Sequence, residues 1–477
     1  MTDTATRRDN PFLVRPLPGL FLRTAAPIVF IMGMNGLLTV VDAYFLGTFV
    51  GADALTAVTL LFPVYMLLVA LSTVVASGLA SVLARLLGAG DHAAARRAYV
   101  AAHALALVLC AAVIAAFLAV GGPLTLWVAN GSVPLAAMGH TYIAILVFAA
   151  PVSFFLGLNA DALRCEGRMG LMAATSLVAT LANVVFNYLL IVVFDFGVAG
   201  SAWGTVMAQT LALAAVLVFR FAGDTPIPLA SLRLDGFNRD WPRFLALGAP
   251  QSLSFVGIAC ASAAIIAMLQ LWATDTYAQT VAAYGVMTRI LTFAFLPLMG
   301  LNMAVQTITG NNFGGGLFHR SDASLRLGGA IALVYCASMQ AVFFTQGAGL
   351  GQLFVDDPAT IAEIARILPI ATMAYVLAGP ILVLAGYFQA IGDAGRAAVL
   401  SITRTYAFAI PLTFALPALL GEGGIWLAGP ASEVLMLGVV AVLLAQSRAR
   451  TGLRWGVFRA SAEGFENAAP AASMPQA

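Results

Sequence analysis

Lysine is absent from this 477-residue chain: all 23 basic residues are arginines, a composition bias to which no function is assigned. Charge of either sign is scarce, 9% of residues against the roughly 25% with which soluble domains cover themselves, so much of the surface must face lipid. The net charge of +2 and the lack of any basic run exclude a nucleic-acid partner. Cysteine is sparse too. Cys110, Cys165, Cys260 and Cys336 stand apart, without CxxC or Cys/His spacing, which indicates neither a metal centre nor a disulfide framework. The histidines His92, His103, His140 and His319 are isolated, whereas an integral-membrane enzyme needs His, Asp or Ser clustered near one face. Length would admit about three soluble domains, yet the longest polar stretch is the short segment 219–244.

What the chain does have is long apolar runs. Apolar residues make up 61% and the mean hydropathy is +0.96. Roughly 20 such residues cross a bilayer as a helix. Candidate spans lie at 24–48, 54–84, 98–120, 136–160, 170–193, 198–221, 244–270, 281–310, 327–347, 367–390, 398–418 and 424–446. The long second and eighth stretches must tilt, kink or protrude. The N-terminal segment MTDTATRRDNPFLVRPLPGL is polar and no cleavage site follows it, so the first apolar run is expected to be a transmembrane helix and not a removable signal peptide.

The arginines orient these spans. Loops 49–53, 121–135, 194–197, 271–280 and 419–423 carry none, and 348–366 carries only Arg366. The opposite side carries twenty, among them Arg7, Arg8, Arg85, Arg164, Arg220, Arg233, Arg320, Arg396 and Arg459. The positive-inside rule makes that side cytoplasmic, with both termini on it, and the alternation itself supports twelve spans. The longest polar connection falls mid-chain and holds prolines at 226, 228 and 242, as a linker between halves would. At an offset of about 225, TAAP ending at Pro27 meets LGAP ending at Pro250, and ARLLGAG (84–90) meets GNNFGGG (310–316). At the same offset RCEG (164–167) meets QAIG (389–392), and GVAGSAWG (197–204) meets GEGGIWLA (421–428). Six spans per half is an even number, so both halves enter the membrane from one side and the repeat is parallel, as in alternating-access transporters. The expected fold is an all-α integral membrane protein with twelve transmembrane helices in two six-helix lobes, related by a pseudo-two-fold along the membrane normal. Its expected parts are a tail at 1–19, an N-lobe at 20–221, a linker at 222–243, a C-lobe at 244–446 and a tail at 447–477.

A set of landmarks runs through both halves: 27–60 (PIVFIMGMNGLLTVVDAYFLGTFVGADALTAVTL), VLARLLGAGDHAAAR, DALRCEGRMGLMAATSLVATLANVVFNYLLI, GVAGSAWGTVMAQ, VAAYGVMTRI, QTITGNNFGGG and GYFQAIGDAGRAAVLSITR. In their order, though not singly, they resemble the multidrug and toxin extrusion (MATE) family of antiporters across almost the whole chain. The resemblance implies export of hydrophobic, often cationic compounds through a V-shaped cavity between two lobes, driven by inward movement of protons or sodium. It implies no cofactor beyond the coupling ion, small-molecule substrates and membrane lipids as partners, a monomer, and residence in a bacterial inner membrane. A lipid-linked oligosaccharide flippase of the same superfamily is the alternative, although such relatives tend to have more spans and a basic cavity. A channel is disfavoured by the two-lobe repeat.

Asp42 lies within the first span. A carboxylate at that depth is costly unless protonated, paired or hydrated, so it is expected to face the lobe interior and to carry a proton. A structural aspartate bonding backbone freed near Gly33 and Gly36 is the other reading; the resemblance favours coupling. Asn183 and Asn187 share a face of the fifth helix. They either tie helices together or, as the resemblance implies, join the cation site with Tyr142 and Thr205. Several relatives carry Asp where this chain has Asn187, which leaves the coupling ion open. Pro27 withholds a backbone donor and should bend the first helix, either passively or, as the resemblance implies, with ion binding. Glu433 is a possible C-lobe acid, or else a hydrogen-bonded helix contact. Arg289 and Arg404 are expected to snorkel or pair structurally, and Arg289 speaks against a cavity that attracts only cations. Asp161, Arg164, Glu166 and Arg168 are expected as a solvated cluster at a helix end. Gly88, Gly90 and residues 314–316 are read as turn formers, and Phe62, Tyr65, Met66, Phe154, Phe155, Phe293, Phe295 and Met299 suit an adaptable cavity.

Overall fold

The computed structural model describes residues 10–222, 225–228, 238–272 and 277–458; Arg7, Arg8, Arg233, Arg459, half of the expected linker and the outer parts of both tails lie outside the described residues. The described chain is almost wholly helical. Its spans are α1 (Leu17–Val50), α2 (Phe62–Ala89), α3 (His92–Val128), α4 (Val133–Phe148 and Ala150–Cys165, bent by 50°), α5 (Met169–Val193) and α6 (Gly197–Ala222). The second six are α7 (Trp241–Trp272), α8 (Tyr277–Gly314), α9 (Phe318–Thr345), α10 (Pro358–Ala371 and Tyr375–Ile391, bent by 53°), α11 (Ala394–Leu420) and α12 (Gly423–Arg450). Exposed Leu118, Trp127, Val218 and Phe221 belong to the apolar surface that such helices present to lipid.

The two over-long stretches resolve differently. The second divides at Leu61 into a short helix, Ala52–Leu60, and α2, because Pro63 in the first turn of α2 cannot carry the helix further upstream. The eighth stays whole: α8 has 38 residues, about 57 Å of helix against a hydrocarbon core of roughly 30 Å, so it protrudes.

The halves repeat in backbone detail. The fourth span of each is bent, and the fifth of each contains a wide π-helical segment, Tyr188–Val193 in α5 and Thr403–Ala409 in α11. Pro27 and Pro250 lie inside the first span of each half. The motifs aligned from sequence end or begin on left-handed glycines: Gly90 (φ 78°) with Gly316 (φ 74°), Gly167 (φ 80°) with Gly392 (φ 88°), and Gly197 (φ 55°) with Gly421 (φ 63°). A side chain would strain each of these turns, and that requirement is what the sequence repeat preserves.

At the arginine-rich end the lobes are closed against each other. α2 packs on α7 and α8 through glycines without room for a side chain: a Cβ on Gly248, Gly314, Gly88 or Gly78 would lie 1.8, 1.9, 2.0 or 2.2 Å from the carbonyl oxygens of Val74, Arg85, Asn311 and Phe244. Gly88 and Gly314 are therefore contact residues within helices and not the turn formers expected. Across the same seam Arg85 donates to the Ala390 carbonyl at 2.7 Å, Arg164 to the Met303 carbonyl at 3.0 Å and Asn10 to Asn311 at 2.9 Å. The contacts extend inward as far as Ser252, which donates to the Ala70 carbonyl at 2.8 Å, and Gly36 of α1, which lies beside Phe293 and Leu296 of α8. Further toward the opposite end, Val40 and Tyr44 of α1 and Gly285 and Arg289 of α8 are exposed.

Of the charge cluster expected in solvent, the Arg164 and Glu166 side chains are covered while Arg168 is exposed. Arg220 and Glu166 pair at 2.8 Å with both side chains fully covered, and Arg220 also donates to Asn159, which accepts from Tyr99. Arg164, 2% exposed, pairs with Asp161. The covering residues come from α3, α6 and the segment around Ile227, far away in sequence.

Candidate ion-coupling site

Asp42 is half-buried on α1, four residues before a wide π turn spanning Leu46–Val50. Asn187 ends the α-helical part of α5, and its own π segment begins at the next residue. Such wide turns shift the register of a helix locally and recur at functional sites. Here they flank one polar chain. Asn187 Nδ2 donates to Asp42 Oδ1 at 2.5 Å and to Asn183 Oδ1 at 2.9 Å, and Asn183 Nδ2 donates to Thr205 Oγ1 of α6 at 3.0 Å. Asn183 and Asn187 are 1% and 0% exposed, so these bonds form away from bulk water. Asn187 Oδ1 is buried and has no hydrogen-bond partner among the described residues, which leaves an acceptor idle beside the carboxylate.

The close approach of α6 depends on Gly204. A Cβ there would sit 2.2 Å from Asn187 Oδ1 and 3.2 Å from the Asn187 backbone nitrogen. Tyr142 of α4 and Tyr65 of α2 pack against Leu146, Ala202 and Val206 in the same corner, near enough to feel the charge of Asp42 but making no hydrogen bond to it. The structure thus brings together Asp42, Asn183, Asn187 and Thr205, with Tyr142 beside them. Gly204 was visible in sequence only as part of the repeat, and its contact with Asn187 had no sequence signal. Pro27 lies apart, within a stretch of α1 that runs helical from Leu17 to Phe45.

The C-lobe acid expected from sequence is held differently. Glu433 of α12 pairs with Arg404 of α11 at 2.9 Å, the structural contact that was its other reading. Arg289 makes no ion pair or hydrogen bond with any described residue. Among the described residues no three His, Cys, Asp or Glu side chains gather as a metal centre requires.

Comparison with known proteins adds independent findings. The family model described as MatE matches residues 27–189 and 250–415, one stretch in each half. A FAD transporter of Shewanella oneidensis is 26% identical over 449 residues, covering 91% of this chain and 95% of that protein. The multidrug export protein MepA of Staphylococcus aureus is 25% identical over 396 residues, covering 81% of this chain and 84% of that protein. A solved outward-facing conformation of a multidrug resistance MATE family transporter of the MOP superfamily shares the fold, with a TM-score of 0.81 at 21% identity over 94% of this chain and 98% of that one.

Proposed function

Because the chain belongs to the MatE family of membrane transporters, we propose that it is an efflux antiporter in which an amphipathic small molecule leaves through a cleft between the lobes while a proton or sodium ion enters at Asp42. On this reading the arginine-rich end is cytoplasmic, the protein sits in a bacterial inner membrane as a monomer, and the cleft opens outward. A relative named as a multidrug export protein supports efflux, and one named as a FAD transporter supports a small-molecule substrate.

The observation that carries the coupling role is the bond from Asn187 to Asp42. Hydrogen bonds to an ionised carboxylate are stronger than those to its neutral form, so taking up a proton loosens the tie between α1 and α5. α1 also carries the interlobe contact, since Val29 seats the α8 backbone at Gly300 and Gly36 meets Phe293 and Leu296. A change at Asp42 therefore acts on one of the helices through which the lobes touch. Sodium has an equivalent route: the oxygens of Asp42, Asn187, Asn183 and Thr205 form a hard-donor set, including the idle Asn187 Oδ1. For substrate to enter from the other side, the glycine-lined seam of α2 with α7 and α8 must part.

Everted membrane vesicles carrying the full chain test this reading. With a pH gradient and a sodium gradient imposed separately, the vesicles should accumulate a fluorescent dye under one of them. Asp42→Asn should abolish accumulation while protein remains in the membrane. Normal accumulation by a well-expressed Asp42→Asn protein would overturn the coupling role.

A further inference from the structure

We propose that the C-lobe wall of the cleft binds an anionic group of the transported molecule, a carboxylate or a phosphate, through Arg289; this rests on the export reading and names its substrate class. Among the described residues, three guanidinium groups occur away from the arginine-rich end. Arg366 is bound to Glu363 and Glu422, and Arg404 to Glu433. Arg289 is exposed and has no ion pair or hydrogen bond among the described residues.

Its direction follows from the helix. Arg289 lies one turn from Phe293 and two from Leu296, hence on the same face of α8. That face meets α1, where a Cβ on Gly36 would lie 3.7 Å from Leu296 and 3.9 Å from Phe293. The opposite face, with Ala283, Tyr284, Met287, Ile290 and Ala294, is buried in the C-lobe core. The guanidinium therefore leaves α8 on the face turned toward α1, one turn beyond the Phe293 contact. It lies about 18 Å along the helix from Tyr277, well inside a spanning segment, where an unpaired charge marks a water-filled substrate path.

The chemistry selects the ligand. A guanidinium presents paired donors that match two oxygens of a carboxylate or phosphate. Exposed Phe293, one turn away, offers an apolar surface to the body of the same molecule, and Gly285, one turn to the other side, has open space where a side chain would stand. Asp42 is engaged by Asn187 within the N-lobe. The same wall opposes a lipophilic cation at its closest approach.

The test is equilibrium binding to the purified full-length protein, with carboxyfluorescein as the anionic probe and tetraphenylphosphonium as the cationic one. Carboxyfluorescein should bind, Arg289→Gln should weaken it about tenfold or more, and Arg289→Lys should recover part of the loss. Tetraphenylphosphonium binding should not fall in Arg289→Gln, which separates a lost charge from a misfolded protein. No binding of carboxyfluorescein by the wild type, or equal binding by Arg289→Gln, would overturn the proposal. Loss of gradient-driven transport with anion binding intact would sink the export reading and leave this one standing.

Discussion

The two lobes share a backbone plan and differ in charge. Both bend the fourth span, widen the fifth and turn on left-handed glycines at matching places. At the offset of about 225, however, Asp42 falls near Ala267, and Asn183 and Asn187 fall near Phe408 and Leu412. The N-lobe thus holds one carboxylate in a chain of amides, whereas the C-lobe pairs Glu433 with Arg404 and leaves Arg289 without an ion pair among the described residues. What the repeat retains are demands of the main chain, such as a positive φ or a break in helical hydrogen bonding. Side chains that make no such demand have diverged, and on the reading proposed above they have divided the work, ion in one lobe and substrate in the other.

Removing the acid from each lobe breaks or sharpens that comparison most strongly, because the two losses should differ in kind. Asp42→Asn abolishes gradient-driven transport yet leaves an acceptor for Asn187, so the thermal midpoint in detergent should hold. Glu433→Gln strands Arg404, which is 30% exposed beside a partner 12% exposed. With that partial exposure discounted, the loss should be about 1–3 kcal/mol, read as a lower thermal midpoint. Replacing Arg404 and Glu433 together by leucine should recover most of it, since an unpaired charge is worse than none. A greater loss of stability in Asp42→Asn than in Glu433→Gln would mean that the N-lobe acid is the structural one.

The spans, their alternation and the repeat were legible because each rests on composition or local spacing. Twenty apolar residues read the same whatever surrounds them, and a left-handed turn needs glycine wherever it occurs. Partners distant in the chain were not legible. Arg220 reaches Glu166 from another span, so an acid that looks solvated beside Arg164 and Arg168 is sealed. Gly88 and Gly314 look like loop glycines until α2 and α8 are laid together. The division at Leu61 was hidden because apolar residues continue across it, although Pro63 was the available signal. For the site, helical spacing placed Asn183 and Asn187 on one face, and the resemblance supplied Tyr142 and Thr205. Neither could show that Asn187 bonds Asp42 directly, or that Arg289, expected to snorkel or pair, shares the face that meets α1.

A subtler asymmetry separates two glycines. In α6, Gly204 has no space for a methyl group, since its Cβ would meet Asn187 Oδ1 at 2.2 Å. Near the matching place in α12, Gly429 would meet only the Ala371 carbonyl oxygen at 3.8 Å, an ordinary contact. Gly204→Ala must therefore push the Asn187 amide or the backbone of α6 aside. Either shift lengthens the bond to Asp42 while keeping both functional groups present. The expected result is transport that survives with a weaker response to the driving ion, half-saturating at several times the wild-type concentration in the same vesicles. Gly429→Ala should leave that dependence unchanged, and its methyl group should raise the thermal midpoint slightly by lowering the backbone entropy of the unfolded chain. Equal effects from the two substitutions would show that close helix packing, and not the position of Asn187, sets the ion dependence.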